Sequence, residues 1–270
     1  MEITIPWTND ITCYARQFPR NPKGQYQTER DGAVASATPK GGIEIGTLPV
    51  ESKVKLTVNG TDWDFLIVHQ GNPDAAMYDA SCDGTWLLME DIYESRQWNN
   101  SDTNDYENST IHSYLNSTFL GLLDANIQSA IKEVKLPYRA GSGHGTTITS
   151  GASGLAAKIF LLSGAEVNWT SSTSSYIPND GACLSYFSGC ATTDSKRIAY
   201  LSGSAAFWWL RSPYCNSGYS LKSALIVNSQ GKWDYNGCGG GTMGIRPTLI
   251  LNSNTLLQLE PDADGSYSLL

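Results

Sequence analysis

Charge is scarce in this chain: Asp, Glu, Lys and Arg make up 16% of its 270 residues, against 40% hydrophobic residues. Helical bundles usually cover their exposed faces with Lys and Glu, so this composition argues against one. The Ser, Thr, Asn and Gly that fill the gap suit a domain rich in strands and loops. Basic residues are scarcer still, 18 Lys and Arg against 26 Asp and Glu, a formal net charge of −8. Such a surface repels phosphate backbones, and the nearest approach to a basic patch, Lys132, Lys135 and Arg139, is diluted by Glu133. Nucleic acid is therefore not expected as a partner. No window has the run of apolar residues that a membrane span needs, so no membrane insertion is expected. Met1 to Asp10 lacks a basic start followed by an apolar stretch, so no signal peptide is expected either.

Metal-binding and nucleophilic residues are also sparse. Six cysteines are too few for a disulfide scaffold at this length. Cys183 and Cys190 could bridge a short loop or stay as free thiols, and with no C-x-x-C pair a structural zinc site is not expected. The three histidines, His69, His112 and His144, show no His-x-x-x-His or Glu-x-x-His spacing. His69 and His112 read as packing residues, and a Cys82–His69 nucleophile pair is a minor alternative. Asp102, Asp105 and Glu107 lack the spacing of a calcium loop. The expectation is a non-enzyme with no catalytic residues, no metal and no cofactor.

What is present has a clear order along the chain. Residues 1–46 are punctuated by Pro6, Pro19, Pro22 and Pro39 and carry no sustained period. They read as an N-terminal extended arm, either a flexible leader or a docking and oligomerisation segment that uses Trp7, Tyr14, Phe18 and Tyr26. A compact domain is expected over 47–270. Lys53 to Val58 alternates polar and apolar residues, Asn59-Gly60 follows, and Trp63 to Val68 is aromatic and β-branched, which together predict a tight hairpin. Trp86 to Met89 reads as another strand. Helical spacing begins at Ser109 through Ile111, Tyr114, Leu115 and Phe119, with a break near Gly121. A second helix is expected from Asp124, as N-cap, to Val134. Lys158 to Leu162 is a short strand, and Asn168 to Asp194 a polar loop. Phe207 to Pro213, Ala224 to Val227 and Thr248 to Leu251 are further strands, and between them lie two weakly patterned stretches. Strands, then helices, then strands with long loops make an α+β domain.

The run Phe207-Trp208-Trp209-Leu210-Arg211-Ser212-Pro213, followed by a loose stretch and then Gly244-Ile245-Arg246-Pro247, resembles the variable proteins diversified by diversity-generating retroelements. It is also similar to a related uncharacterised domain family of gut bacteria and their prophages. The likeness extends more loosely back to about Leu48, through Trp86–Met89 and Asn108–Leu115, and leaves out the first 46 residues. It implies a C-type-lectin-like fold, which is also formylglycine-generating-enzyme-like, with a variable region at about 207–250. In that family, adenine-directed rewriting of AAC-type codons yields Asn, Tyr, Ser, Asp, Cys, Gly and Thr among others, but not Lys, Glu, Gln, Met or Trp. Residues 214–220 and 234–242 contain only permitted types, whereas Lys222, Gln230 and Trp233 mark fixed scaffold or a boundary of the variable stretches.

The resemblance implies a ligand- or receptor-binding protein displaying a diversifiable surface, of the kind found at a phage or prophage tail. The alternatives are a bacterial surface adhesin or an enzyme of the formylglycine-generating type. The implied partner is a surface protein or other macromolecule on a target cell, engaged from a particle tail or the bacterial surface, with a homotrimer raising avidity. The candidate contact residues are Tyr214, Cys215, Asn216, Ser217, Tyr219, Ser220, Trp233, Asp234, Tyr235, Asn236 and Cys238. Tyrosine brings a large, stiff, half-polar surface with few torsions to freeze, and Ser and Asn supply adaptable hydrogen bonds. Of these, Tyr214, Asn216, Ser217, Tyr219, Ser220, Asp234, Tyr235 and Asn236 are expected to form one exposed patch on a frame in which Phe207, Trp208, Leu210 and Ile245 are buried. One of the adjacent tryptophans is expected in the core, with the other free to floor the surface. Arg211 and Arg246, each beside a proline, are expected to satisfy buried carbonyls or a carboxylate.

Overall fold

The computed structural model describes residues 41–143, 145, 147–191, 194–216 and 222–270, with the backbone of 4–5 and 13–14. The chain divides into two units, Met1–Lys40 and Gly41–Leu270. In the first, Thr4–Ile5 pairs antiparallel with Cys13–Tyr14. The side chains of Trp7, Tyr14, Phe18 and Tyr26 lie outside the described residues. The second unit is an α+β structure dominated by sheet. Its first strand, Gly42–Glu44, pairs with Leu256–Gln258 near the other end of the unit, so residues that the sequence reading leaves to the arm are paired here.

Alternating Lys53–Val58 and aromatic-rich Thr61–Gln70 form β1 and β2, a hairpin with Val58 opposite Thr61. Its two-residue turn needs positive φ at both positions, which Asn59 (50°) and Gly60 (72°) adopt at low cost. β3 (Thr85–Met89), β5 (Ile159–Phe160), β10 (Thr248–Leu251) and β11 (Ser266–Ser268) complete a six-stranded sheet in the order β5-β10-β3-β2-β1-β11. A second sheet has five strands: β4 (Glu94–Gln97), β6 (Trp208–Pro213), β7 (Ser223–Val227), β8 (Trp233–Gly237) and β9 (Thr242–Ile245). Their order is β8-β7-β6-β9-β4, so β8 is a free edge. Part of the second weakly patterned stretch is therefore strand: its hydrogen bonds come from a sheet partner that a local pattern cannot reveal.

Alternate residues of the central strands feed two hydrophobic clusters. Ile67, Leu87, Trp209 and Ile226 enter one, together with the helical residues Ile111, Leu115, Phe119 and Ile127. Val68, Trp86, Trp208, Leu210 and Leu225 enter the other, which is closed by the irregular segment carrying Val167, Trp169, Ile177 and Phe187. Both Trp208 and Trp209 are fully buried, so neither floors an exposed surface. Phe207, one residue before the strand, is 39% exposed rather than buried. Ser109 caps α1 (Thr110–Tyr114) by accepting from the His112 N–H. A π turn over Leu115–Phe119 carries the chain past the expected break into α2 (Leu120–Leu122). α3 (Ala125–Ala130) is shorter than the periodicity predicts. Asp124 stands at its N-cap without a side-chain cap bond, and Val134 begins a strand instead, because Ile131 bridges to Leu251. Among the described residues no helix is long and apolar enough to cross a membrane.

The two clusters meet around a buried ion pair. The Arg211 guanidinium donates to both Glu166 carboxylate oxygens at 2.6 Å, and both side chains are fully buried. It donates further to the carbonyls of Leu161, Pro137 and Asp180. Glu166 also accepts from the Tyr78 hydroxyl (2.7 Å) and the Ser163 N–H (2.8 Å). Ser212, the next residue on β6, donates to the Asp180 carboxylate and accepts from the Gly164 N–H. Arg246 follows the same logic without a carboxylate: it donates to the Met89 and Glu90 carbonyls and lies 4.7 Å over the Trp208 ring. Both arginines thus satisfy buried acceptors as their sequence settings indicate.

Removing one partner of such a pair leaves a buried, uncompensated charge. Glu166→Gln is expected to lower unfolding free energy by about 3–5 kcal/mol in denaturant titration. Disrupting the exposed Lys222–Asp102 pair, 3.1 Å apart, is expected to leave the transition midpoint unchanged. Burial raises the Asp180 carboxyl from 3.8 to about 6, despite Arg211 and Ser212. Because the folded state holds this proton more tightly, its contribution is fully present below about pH 4 and lost as pH rises through about 6. Asp180→Asn, which keeps an acceptor for Ser212, is expected to remove that limb from a plot of stability against pH.

Candidate functional site

The candidate surface is built where β6 leaves its sheet. Trp209 opposes Ile226 but Pro213 opposes Ala224, so β6 carries a bulge between them. The bulge aims Arg211 and Ser212 into the polar core, and Pro213, which has no N–H to donate, ends the strand. Tyr214 then donates its N–H to the Ser223 carbonyl (2.9 Å) and Cys215 donates to the Tyr176 carbonyl (2.8 Å). This exit is held by backbone and core, not by the side chains it displays.

The facing half comes from the β7–β8 hairpin. Its loop closes through Asn228, whose side-chain oxygen accepts from the N–H groups of Gln230 and Lys232. Gly231 takes a φ of +72°, and a Cβ there would stand 2.1 Å from the Asp194 carbonyl oxygen. Leu225 pairs with Tyr235 and Val227 with Trp233, which puts these aromatics on the side of the sheet that holds the second cluster. Tyr235 stacks on Tyr214 with centroids 4.0 Å apart and planes 2° from parallel. Tyr176 meets the Tyr214 ring edge-on at 5.4 Å. Asn216 donates to the Tyr214 hydroxyl at 3.1 Å.

The two stretches flagged in the sequence therefore meet, but not residue for residue. Tyr214, Asn216 and Tyr235 come together, and Trp233 lies on the same side, packed against the second cluster. Tyr214 is only 4% exposed while Tyr235 is 38% exposed: the first is a buried platform and not a contact residue, because its ring lies between two others. Asp234 and Asn236 leave the strand on the opposite side, yet each folds back along the edge, accepting from the N–H of Tyr235 and of Gly237, both at 2.8 Å.

Cys215 and Cys238 are buried, which removes both from the contact set. Cys238 belongs to the first hydrophobic cluster, and burial pushes the Cys215 thiol up to about 11. Gly239 is crowded too: a Cβ there would stand 2.8 Å from an Asp102 carboxylate oxygen and 3.1 Å from the Ser101 carbonyl carbon. The part of 234–242 able to change freely is thus narrower than its composition suggests. Ser217, Tyr219 and Ser220 lie outside the described residues, as does His144.

Tyr176, 39% exposed and packed on Tyr214, is the member of this tyrosine cluster that sequence reasoning passes over. Its neighbourhood, Ser174-Ser175-Tyr176, has the composition of the flagged stretches, but it lies in a loop far from them along the chain. The minor nucleophile alternative has no geometry behind it. Cys82 donates to the Lys135 carbonyl and is pushed up to about 12 by burial, while the His69 ring bonds Ser185 at 2.8 Å. His112 packs against Tyr106 at 5.1 Å. Cys82, Cys183, Cys190, Cys215 and Cys238 are free, and among the described residues no three His, Cys, Asp or Glu side chains converge as a metal site.

Tyr214 and Tyr235 should separate in a stability assay. Tyr214→Ala is expected to cost roughly 3 kcal/mol, as a buried aromatic truncation does. Tyr235→Ala is expected to stay within about 1 kcal/mol of the parent in the same denaturant titration.

A family model described as a domain of unknown function (DUF6273) matches residues 83–253. That span runs from β3 to β10 and includes both halves of the tyrosine surface. No curated protein and no solved structure matches the chain.

Proposed function

The chain belongs to the DUF6273 family, and on that premise we propose that it is a recognition protein rather than an enzyme. Its contact face is formed by Tyr176, Asn216, Tyr235 and the edge of β8, on a C-type-lectin-like scaffold. The observation that carries this reading is the stacked pair Tyr214–Tyr235. It joins two separate segments of the chain over a frame whose own bonds do not involve the displayed side chains. Exposed aromatics on a rigid support are the usual anchors of protein recognition, since little entropy is lost when they are covered.

The ligand under this reading is a protein or other macromolecule on a cell surface, met by a phage or prophage tail or by a surface adhesin. Diversification would act on the accessible positions, Asn216 and 234–236, and leave Tyr214, Cys215 and Cys238 unchanged because their burial ties them to the core. Comparison of alleles from sister isolates tests this. Substitutions concentrated at Asn216, Asp234, Tyr235 and Asn236 are expected, beside a reverse transcriptase gene and a near-identical repeat of the segment encoding 214–242. Alleles that are invariant at these four positions, with no such gene nearby, would remove the proposal.

A further inference from the structure

The free edge of β8 has an unusual balance of hydrogen-bonding groups. In its antiparallel pairing with β7 the bonded positions alternate, as Lys232 with Asn228 and Cys238 with Lys222 show at the two ends. The N–H and C=O of Trp233, Tyr235 and Gly237 therefore point away from β7, along the edge. Two of these three donors are already used: Tyr235 N–H by the Asp234 side chain and Gly237 N–H by the Asn236 side chain. Among the described residues the three carbonyls have no hydrogen-bond donor. A strand from another chain needs donors and acceptors in alternation, and this edge offers it mainly acceptors.

Charge points the same way. Asp234 has no ion-pair partner among the described residues, even with Lys232 two positions away, and its carboxylate is held at the edge by the Tyr235 N–H. Lys222, the other cation of this hairpin, is occupied by Asp102. The Tyr235 ring, on the other side of the same edge strand, is stacked on one face by Tyr214 and is still 38% exposed. The whole chain carries a formal net charge of −8.

Resting on the recognition reading above, we infer that the β8 edge takes an arginine side chain from a partner protein, and does not add a strand. A guanidinium is planar, stacks on an aromatic face and offers five donors with no acceptor. It complements an edge that combines an open tyrosine ring, unpaired carbonyls and a fixed carboxylate.

The test is an amide-resolved NMR titration of the full chain with the capped peptides Gly-Arg-Gly, Gly-Glu-Gly and Gly-Leu-Gly, and with a methyl glycoside. Gly-Arg-Gly is expected to shift the amides of Tyr235 and Gly237 saturably, with at least a fivefold preference over the other three probes. Tyr235→Ala is expected to weaken it about fivefold and Asp234→Asn, which keeps an acceptor for the Tyr235 N–H, about threefold. Equal responses to all four probes, or no arginine response at these amides, would overturn the arginine inference. A glycoside or Gly-Leu-Gly response confined to the same amides would overturn it while leaving the recognition surface standing, and the allele comparison judges that surface independently.

Discussion

A guanidinium and a carboxylate sealed between two hydrophobic clusters hold this structure in register. Arg211 and Glu166 are both fully buried and joined by two short bonds. Around them the polar groups of five chain segments (near residues 78, 137, 161–166, 180 and 211) find partners they could not find in an apolar interior. Burying such a pair is costly, and hydrophobic residues of similar volume could give equal stability. Its effect here is positional. Its partners tie these segments to one another, and residues 161–184, which follow β5, have no helix or strand of their own to do so.

The position of the tyrosine surface follows from that constraint. The bulge in β6 turns Arg211 toward Glu166, and the strand must then end at Pro213, which delivers Tyr214 beside the β7–β8 hairpin. Asp180, bonded to Ser212 and Arg211, anchors the loop that brings Tyr176 to the other side of Tyr214. Interior charge, strand bulge and exposed ring are thus successive steps along a few residues of chain. A surface supported this way tolerates change at Tyr235 or Asn216 far better than at Tyr214, Cys215 or Cys238, because only the latter three contribute to the packed frame.

The edge of β8 is blunted by its own side chains. Edges are commonly blunted by charge, proline or bulges. Here Asp234 and Asn236 each fold a side-chain oxygen back onto the outward N–H that follows, of Tyr235 and of Gly237. What remains at the edge is the Trp233 N–H, three carbonyl oxygens and the Tyr235 ring.

Much of the framework was legible in the residues. The Asn59-Gly60 hairpin, the β3 and β10 strands, the Ser109 start of the helical region and the buried acceptors of Arg211 and Arg246 follow from period, turn chemistry and the cost of isolated buried charge. That the stretches after β6 and around Tyr235 would converge was an expectation from the family resemblance and not from these patterns. Pattern alone did not show that Tyr214 would be buried and Tyr235 exposed, that Cys238 would join the core, or that Tyr176 would arrive from a distant loop. It also did not show that 233–237 would be an edge strand and not a loop. Local sequence carries the preferences of backbone and turn, because those energies arise between near neighbours. Burial, sheet order and the meeting of distant rings depend on contacts between segments far apart in the chain, the Arg211–Glu166 pair among them, and only the folded chain decides those.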